Sequence, residues 1–359
     1  MTAVSTGIPH SRPFLDEEER AAADEVLRTG QVAQGPCVER FEQGLAAWLG
    51  VRGGVAVSSG TVALELALTA LGVSPGDEVI IPSYVCAAVW LAVQRVGAVP
   101  RLVDIDLETY NLDPEAAAQA VTARTRAIIA PHLFGLPVNL TRLQALGVPL
   151  IEDCAQTLGA LESGRQVATV GAAAICSFYA TKLLCTGEGG MVVSNDIALL
   201  EHVRSLRQYD DGPTLNPSSS NRKMTDLQAA IGLCQVNRLA MFLRRRAEIA
   251  ARYRSALAQM PLVLPVVPDG RTHVYYRFVV RLPRLPRGPD SLAAQIMRLN
   301  ARGLQCRRPV FRPLHRYLEL DGFPASEEAD RTALSIPIYP SMTDEEVARA
   351  IHILGEELA

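Results

Sequence analysis

Nowhere in the 359 residues does an apolar run approach the roughly 18 uninterrupted positions of a membrane-spanning helix. The opening stretch MTAVSTGIPHSRPFLDEEER also lacks an apolar core flanked by basic residues, so no secretory leader is read there. Together these absences predict a cytoplasmic protein with no membrane partner. Seven cysteines, at 37, 86, 154, 176, 185, 234 and 306, form no CxxC pair and no Cys/His cluster with ligand spacing. Reduced thiols and no metal are expected. A net charge of -3 argues against nucleic acid as a partner, because phosphate backbones demand concentrated Lys and Arg. The one dense basic run, Arg244, Arg245 and Arg246, lies in a helical stretch and reads as a solvated face. The GxGxxG and GxxxxGK[ST] patterns are missing, which disfavours a dinucleotide fold or a P-loop.

What is present is a globular composition, 48% hydrophobic and 20% charged, with length for one large domain and a smaller one. From about residue 54 to 156, β-rich runs alternate with helical segments: GVAVSS, TVALELALTALG, EVIIPS, CAAVWLAVQRVG, VPRLVDID, RAIIAPHLF, VPLIEDCA. Such alternation predicts an α/β architecture, a mostly parallel sheet sandwiched by helices. Beyond residue 170 two strand-like runs, AAAICSFYA and GGMVVSN, flank TKLLCTGE, which sets Lys182 between strands. TLNPSSSNR reads as a loop, and a helix is expected from about 224 to 258. HVYYRFVVRL as a strand and DEEVARAIHILGEEL as a closing helix then suggest a smaller α+β part. The expected division is 1–235 for an N-terminal arm and the large domain, 236–258 for a connecting helix and 259–359 for the small domain.

Three constellations carry chemistry. Gly60 and Thr61 stand where a strand gives way to a helix, a place where free N–H groups receive anions, although a plain N-cap by Ser59 or Thr61 fits as well. Glu152, Asp153 and Gln156 end a buried strand at the edge where open α/β sheets bind ligands, yet a carboxylate there also serves as a helix cap. Lys182, with Ser177 before it and GEGG after it, completes the set. His132 reads as a satisfied buried histidine and Trp90 as core.

At this point the chain resembles the DegT/StrS-type sugar aminotransferases, which use pyridoxal 5'-phosphate (PLP). Seven ordered blocks carry the resemblance: SSGTVALELAL, GVSPGDEVIIPSY, GAVPRLVDIDLETYNLDP, IEDCAQTLGA, SFYATKLLCTGEGGMVVSN, NRKMTDLQAAIGL and LSIPIYPSMTDEEV. It implies the aspartate-aminotransferase-like fold, with the large domain binding PLP. Lys182 would be the Schiff-base lysine and proton shuttle, Asp153 the partner of the pyridinium nitrogen, and Gln156 a contact of the ring's 3'-oxygen. Gly60, Thr61 and Ser177 would cup the phosphate. Asn221 would reach into the neighbouring subunit's site, which implies a homodimer with shared sites. Cys86 stands where many relatives stack an aromatic residue on the ring, and would cover it through sulfur instead. Leu158 replaces the histidine of the frequent AQAHGA form, and Tyr84 is a nearby aromatic. Arg308 matches an arginine of part of the family and would hold a donor carboxylate or acceptor phosphates; a structural role fits it equally.

The resemblance implies amino transfer from glutamate or glutamine to a keto sugar, usually nucleotide-linked, in amino-sugar biosynthesis. A cyclitol ketone is an alternative acceptor, and a PLP-binding regulatory protein without turnover an alternative role. Members that dehydrate or deoxygenate sugars carry histidine at the lysine position, and Lys182 speaks against that chemistry.

Overall fold

The computed structural model describes residues 7–209, 216–286 and 291–358. Seven strands form the main sheet: β1 (Gly53–Val57), β2 (Glu78–Pro82), β3 (Val99–Val103), β4 (Thr125–Pro131), β5 (Leu150–Asp153), β6 (Ala173–Ser177) and β7 (Gly190–Ser194). They run in the spatial order β1-β7-β6-β5-β4-β2-β3. Strands β2 to β6 pair in parallel, and β7 alone runs against its neighbours β1 and β6. The mostly parallel sheet expected from the β/α rhythm is therefore present.

The continuous apolar strands follow from burial on both faces. Successive side chains of a strand point to opposite sides. Val55, Val57, Ile81, Ile129, Ile151, Ile175 and Val192 accordingly join one cluster, packed against the helices Gly60–Ala70 and Ala87–Arg95. Their neighbours Ala56, Ala174, Cys176, Met191 and Val193 face the helices Pro36–Leu49 and Asp226–Leu257 on the other side. Trp90 is partly buried against the first cluster, as expected.

The long helix spans Asp226–Leu257 and opens on a capping box between Thr225 and Gln228. Its basic run departs from expectation. Arg244 is exposed, but Arg246 is 4% exposed and donates to the carbonyls of Tyr275, Tyr276 and Ile338 at 3.0–3.1 Å. The 3.6-residue period explains the correction: Phe242, Arg246, Ile249 and Tyr253 share the buried face. The guanidinium is held there by carbonyls rather than by water.

Past that helix, HVYYRFVVRL yields a strand only at β8 (Phe278–Arg281), paired antiparallel with β9 (Ala333–Ile336). His273 to Tyr276 instead pass beneath Phe134 and Gly135, where Val274 N–H donates to the Gly135 carbonyl. The helix Asp344–Leu358 closes the chain, and a separate apolar cluster gathers Tyr253, Phe278, Leu299, Ile336, Val347 and Leu354. Ile8 joins it, bonded through its backbone to Gly303 and Gln305. All seven cysteines are free, and no helix among the described residues is long and apolar enough to cross a membrane.

Candidate active site

The carboxyl ends of β1, β5 and β6 meet at one rim of the sheet, and the loop between β6 and β7 lies over it. At the first of these ends Ser59 caps the helix Gly60–Ala70, its hydroxyl accepting from Val62 N–H at 3.2 Å, while Ala63 N–H donates to the Ser59 carbonyl. The cap does not use the N–H groups of Gly60 and Thr61, which have no acceptor among the described residues. Both readings of this turn thus hold together: Ser59 caps, and the two half-buried donors at the positive end of the helix remain for an anion. Ser177, at the end of β6, closes on them. A Cβ at Gly60 would stand 2.8 Å from Ser177 Cβ and 3.1 Å from its hydroxyl oxygen, so glycine is what lets strand and helix approach.

Adjacent carboxylates on β5 separate by strand alternation. Glu152 is fully buried and accepts from the N–H groups of Ala168, Val170 and Gly171 at 2.7–2.9 Å, and His132 Nε2 lies 3.1 Å from it. Val138 N–H donates to His132 Nδ1, so Nε2 carries the proton toward Glu152. His132 is the satisfied buried histidine expected. Asp153 turns the other way. It accepts from Ala155 N–H at 3.0 Å in a turn rather than a helix, and its Oδ2 has no hydrogen-bond partner among the described residues. Burial pushes the Asp153 carboxyl above its ordinary range, against the Ala155 N–H, Lys182 and His132, which favour the carboxylate. A buried carboxylate with one free oxygen is suited to a cationic or N–H partner.

Lys182 is half-buried and has no ion pair or hydrogen bond through Nζ among the described residues. Its backbone is fixed: Lys182 N–H donates to Tyr179 O, Ala180 N–H to Gly187 O, and Phe178 N–H to Gly189 O. Gly189 has φ +149°, and Gly190 packs its α-carbon directly against the backbone of Ser59 and Gly60. The glycines of GEGG therefore lock the lysine loop onto the Gly60 turn.

Lys182 Nζ lies 5.3 Å from the centroid of the Tyr276 ring, whose hydroxyl is 3.4 Å from Thr181 Oγ1. Burial opposes ionisation of Tyr276, yet Lys182, Arg277, the Thr181 hydroxyl and Arg246 together bring it down to about 8. The Cys86 thiol, exposed at the start of the helix Ala87–Arg95, is within electrostatic reach of Lys182 and Asp153. Gln156 accepts from Phe134 N–H through Oε1 at 2.9 Å, which leaves its Nε2 as a donor.

Two candidates make no side-chain hydrogen bond to this group among the described residues. Asn221 is exposed beside the free edge of β1, where Lys223 bridges Val57 and Ser58 N–H donates to Arg222 O. The Arg308 guanidinium is engaged by Asp330 through its backbone carbonyl and its carboxylate. Tyr276 and Thr181 were not singled out in the sequence; Thr181 beside Lys182 was a local signal for one of them. Tyr84 is wholly buried, stacked near Tyr110 and edge-on to Phe134.

These features define a site for a phosphorylated, ring-bearing cofactor with a carbonyl that an amine can capture. The chain belongs to the DegT/DnrJ/EryC1/StrS aminotransferase family, whose sequence profile it matches over residues 13–355. It is 35% identical to the "Spore coat polysaccharide biosynthesis protein SpsC" of Bacillus subtilis (strain 168), over 97% of this chain and 96% of the relative. It is 36% identical to the "dTDP-3-amino-3,4,6-trideoxy-alpha-D-glucose transaminase" of Streptomyces venezuelae, over 96% and 95%. Among solved structures, DesV of S. venezuelae superposes with a TM-score of 0.89 at 35% identity, covering 97% of this chain and 98% of that one. The aminotransferase TlmJ of Streptoalloteichus hindustanus gives 0.90 at 33% identity, covering 98% of both chains. The protein is a PLP-dependent aminotransferase.

The residues present fit that cofactor. Two free N–H groups and a hydroxyl would receive a phosphate, a buried carboxylate with an unpartnered oxygen would receive a ring nitrogen, and Lys182 offers an unpaired amine.

Proposed function

We propose that this enzyme moves an amino group from glutamate or glutamine to a keto sugar carried on a nucleotide, in amino-sugar biosynthesis. The observation that carries the reading is the unpaired Lys182 amine in electrostatic contact with the buried Asp153 carboxylate, at the rim where Gly60, Thr61 and Ser177 gather. The names of two relatives supply the acceptor class: the S. venezuelae transaminase acts in dTDP-sugar formation, and a second relative, 33% identical, is the "GDP-perosamine synthase" of Caulobacter vibrioides.

In this reading each residue has a task. Lys182 would hold the cofactor through Nζ and would serve as the base for the proton on the donor's Cα. Asp153, with Oδ2 free, would hold a proton on the ring nitrogen and offset its positive charge. The bound cofactor supplies the ring that accepts electrons released by the broken C–H bond. Gly60, Thr61 and Ser177 anchor the phosphate, Gln156 Nε2 donates to the ring's 3'-oxygen, and Cys86 covers a ring face with sulfur. Asn221, exposed beside the edge strand β1, would extend from one subunit of a homodimer toward the phosphate of the other site. Arg308 is held by Asp330, which Arg316 also engages, and would act on substrate only if Asp330 releases it.

The test is amino transfer from glutamate or glutamine to a panel of dTDP- and GDP-linked 3-keto and 4-keto hexoses, with the aminated product followed by mass. Product with a nucleotide-linked sugar, lost in Lys182→Ala, is expected. Transfer to free cyclitol ketones but to no sugar nucleotide overturns the acceptor assignment, and no transfer to any ketone overturns the catalytic one.

A further inference from the structure

A cavity of about 180 Å³ is walled in part by Thr181 and Tyr276. Its wall is assembled from three distant parts of the chain: His10 and Ser11 from the N-terminal segment, Tyr179 and Thr181 from the lysine loop, and Arg277, Arg307 and Ile336 from the C-terminal part. No carboxylate lines it. Three guanidinium groups do, and Arg246 is already spent on the three carbonyls that hold it.

Arg277 and Arg307 differ from it. Neither has a carboxylate partner among the described residues, and their only hydrogen bonds there run through the backbone. Arg238, by contrast, meets Asp16, Glu18 and Glu19. Both unpaired charges bear on the same imidazole. Burial, then Arg277, then Arg307 lower His10 to about 3, so the ring stays neutral and adds no third charge. Its Nε2 lies 2.9 Å from Ser335 Oγ, which fixes the ring in the wall. Two like charges around a small cavity without a counter-ion repel each other, a cost that an incoming anion removes.

Distance ties this cavity to the reaction centre. The Tyr276 ring that has Lys182 Nζ 5.3 Å from its centroid has Arg277 Cζ at 5.5 Å. Thr181, next to Lys182 in the chain, and Tyr276 line the cavity together with Arg277, so the cavity borders the reaction centre. The planar fork of guanidinium donors matches a carboxylate or a phosphate in bidentate fashion.

We propose that Arg277 and Arg307, with the hydroxyls of Ser11, Thr181 and Tyr276, form an oxyanion subsite that binds an anionic group of a substrate while its reacting end lies at Lys182. The proposal rests on the amino-transfer reading for what that substrate is. The shared chemistry is a carboxylate or phosphate oxyanion, and its sources are the distal carboxylate of the amino donor or the diphosphate of a nucleotide-linked acceptor.

The test is calorimetric binding to the PLP-loaded protein of two probes that cannot donate an amine: glutarate, which offers carboxylates, and thymidine diphosphate, which offers phosphates. Hydrogen bonds to charged groups contribute enough that losing one guanidinium weakens binding by roughly 10- to 100-fold. Arg307→Gln, at an exposed position that the fold tolerates, and Arg277→Gln are each expected to weaken at least one probe by that factor. Loss confined to glutarate assigns the subsite to the donor, and loss confined to thymidine diphosphate assigns it to the acceptor. Binding of both probes within twofold of wild type in Arg307→Gln overturns the proposal, as does a wild-type protein that binds neither. A wild type that binds a probe but aminates no ketone leaves the oxyanion subsite standing and removes the amino-transfer reading, so the two failures are distinguishable.

Discussion

Replacing Gly190 by alanine tests how the lysine loop and the anion-binding turn are joined. Gly190 sits in β7 between Val57 of β1 and Ser177 of β6, with both ladders holding it in register. An added Cβ would stand 2.4 Å from the carbonyl carbon and oxygen of Ser59 and 2.6 Å from the nitrogen of Gly60. All three are backbone atoms, so no side chain can rotate away. Reaching ordinary contact requires a displacement of about 1 Å, and with β7 fixed on both sides the turn at Ser59 and Gly60 must move. Overpacking of this kind costs about 1–3 kcal/mol of stability, and a 1 Å misplacement of a binding group costs up to about 100-fold in its function. The assay is urea unfolding together with PLP affinity by absorbance titration. Gly187→Ala is the control: φ there is +83°, but nothing lies within 4 Å of the added Cβ, so it pays backbone strain of about 1–2 kcal/mol with PLP affinity retained. Gly190→Ala with stability within 0.5 kcal/mol and PLP affinity within twofold of wild type would refute the reasoning.

Three further outcomes are expected. Asp153→Asn should fold and bind PLP but lose about 100- to 1,000-fold in turnover, since each tenfold factor is 1.4 kcal/mol of lost charge stabilisation; near-normal turnover removes Asp153 from its role. His10 is held neutral with a folded value of about 3 against 6.5 when unfolded, so its contribution is complete above pH 6.5 and is lost as pH falls toward 3. Burial and then Arg254 hold His273 at about 3 in the same way, so His10→Gln should remove about half of the histidine slope, at most ~1.4 kcal/mol per pH unit, in urea melts between pH 6 and 4; an unchanged slope contradicts the assignment. Mixing Asn221→Asp with Lys182→Ala under subunit exchange should restore activity above either parent, because one site of each hybrid dimer carries both sound residues; no complementation despite demonstrated exchange places Asn221 outside the shared site.

The parts of this molecule that were legible in the sequence are those whose physical cause is local. Strands buried on both faces need apolar residues throughout, so VIIP and AIIA announced the sheet, and the glycines after Lys182 announced a tightly packed loop. Glu152 and Asp153 show the limit of local reading. They are neighbours on one strand, period 2 sends them to opposite faces, and only the placed sheet tells which meets His132 and which faces Lys182. Arg246 was recoverable, since its spacing from Phe242, Ile249 and Tyr253 is that of a buried helical stripe; the run of three arginines hid it. Tyr276 carries no such mark. It meets Lys182 because the segment after the long helix passes beneath Phe134, a long-range contact that neither periodicity nor composition encodes.

The central claim is that Lys182 is the amine that captures the cofactor, and borohydride reduction of the purified PLP-loaded protein followed by peptide mapping tests it most directly. The pyridoxyl group is predicted on Lys182, in the peptide containing SFYATK, and nowhere else. A pyridoxyl group on any other lysine, or none on Lys182 in protein that holds PLP, would contradict the account.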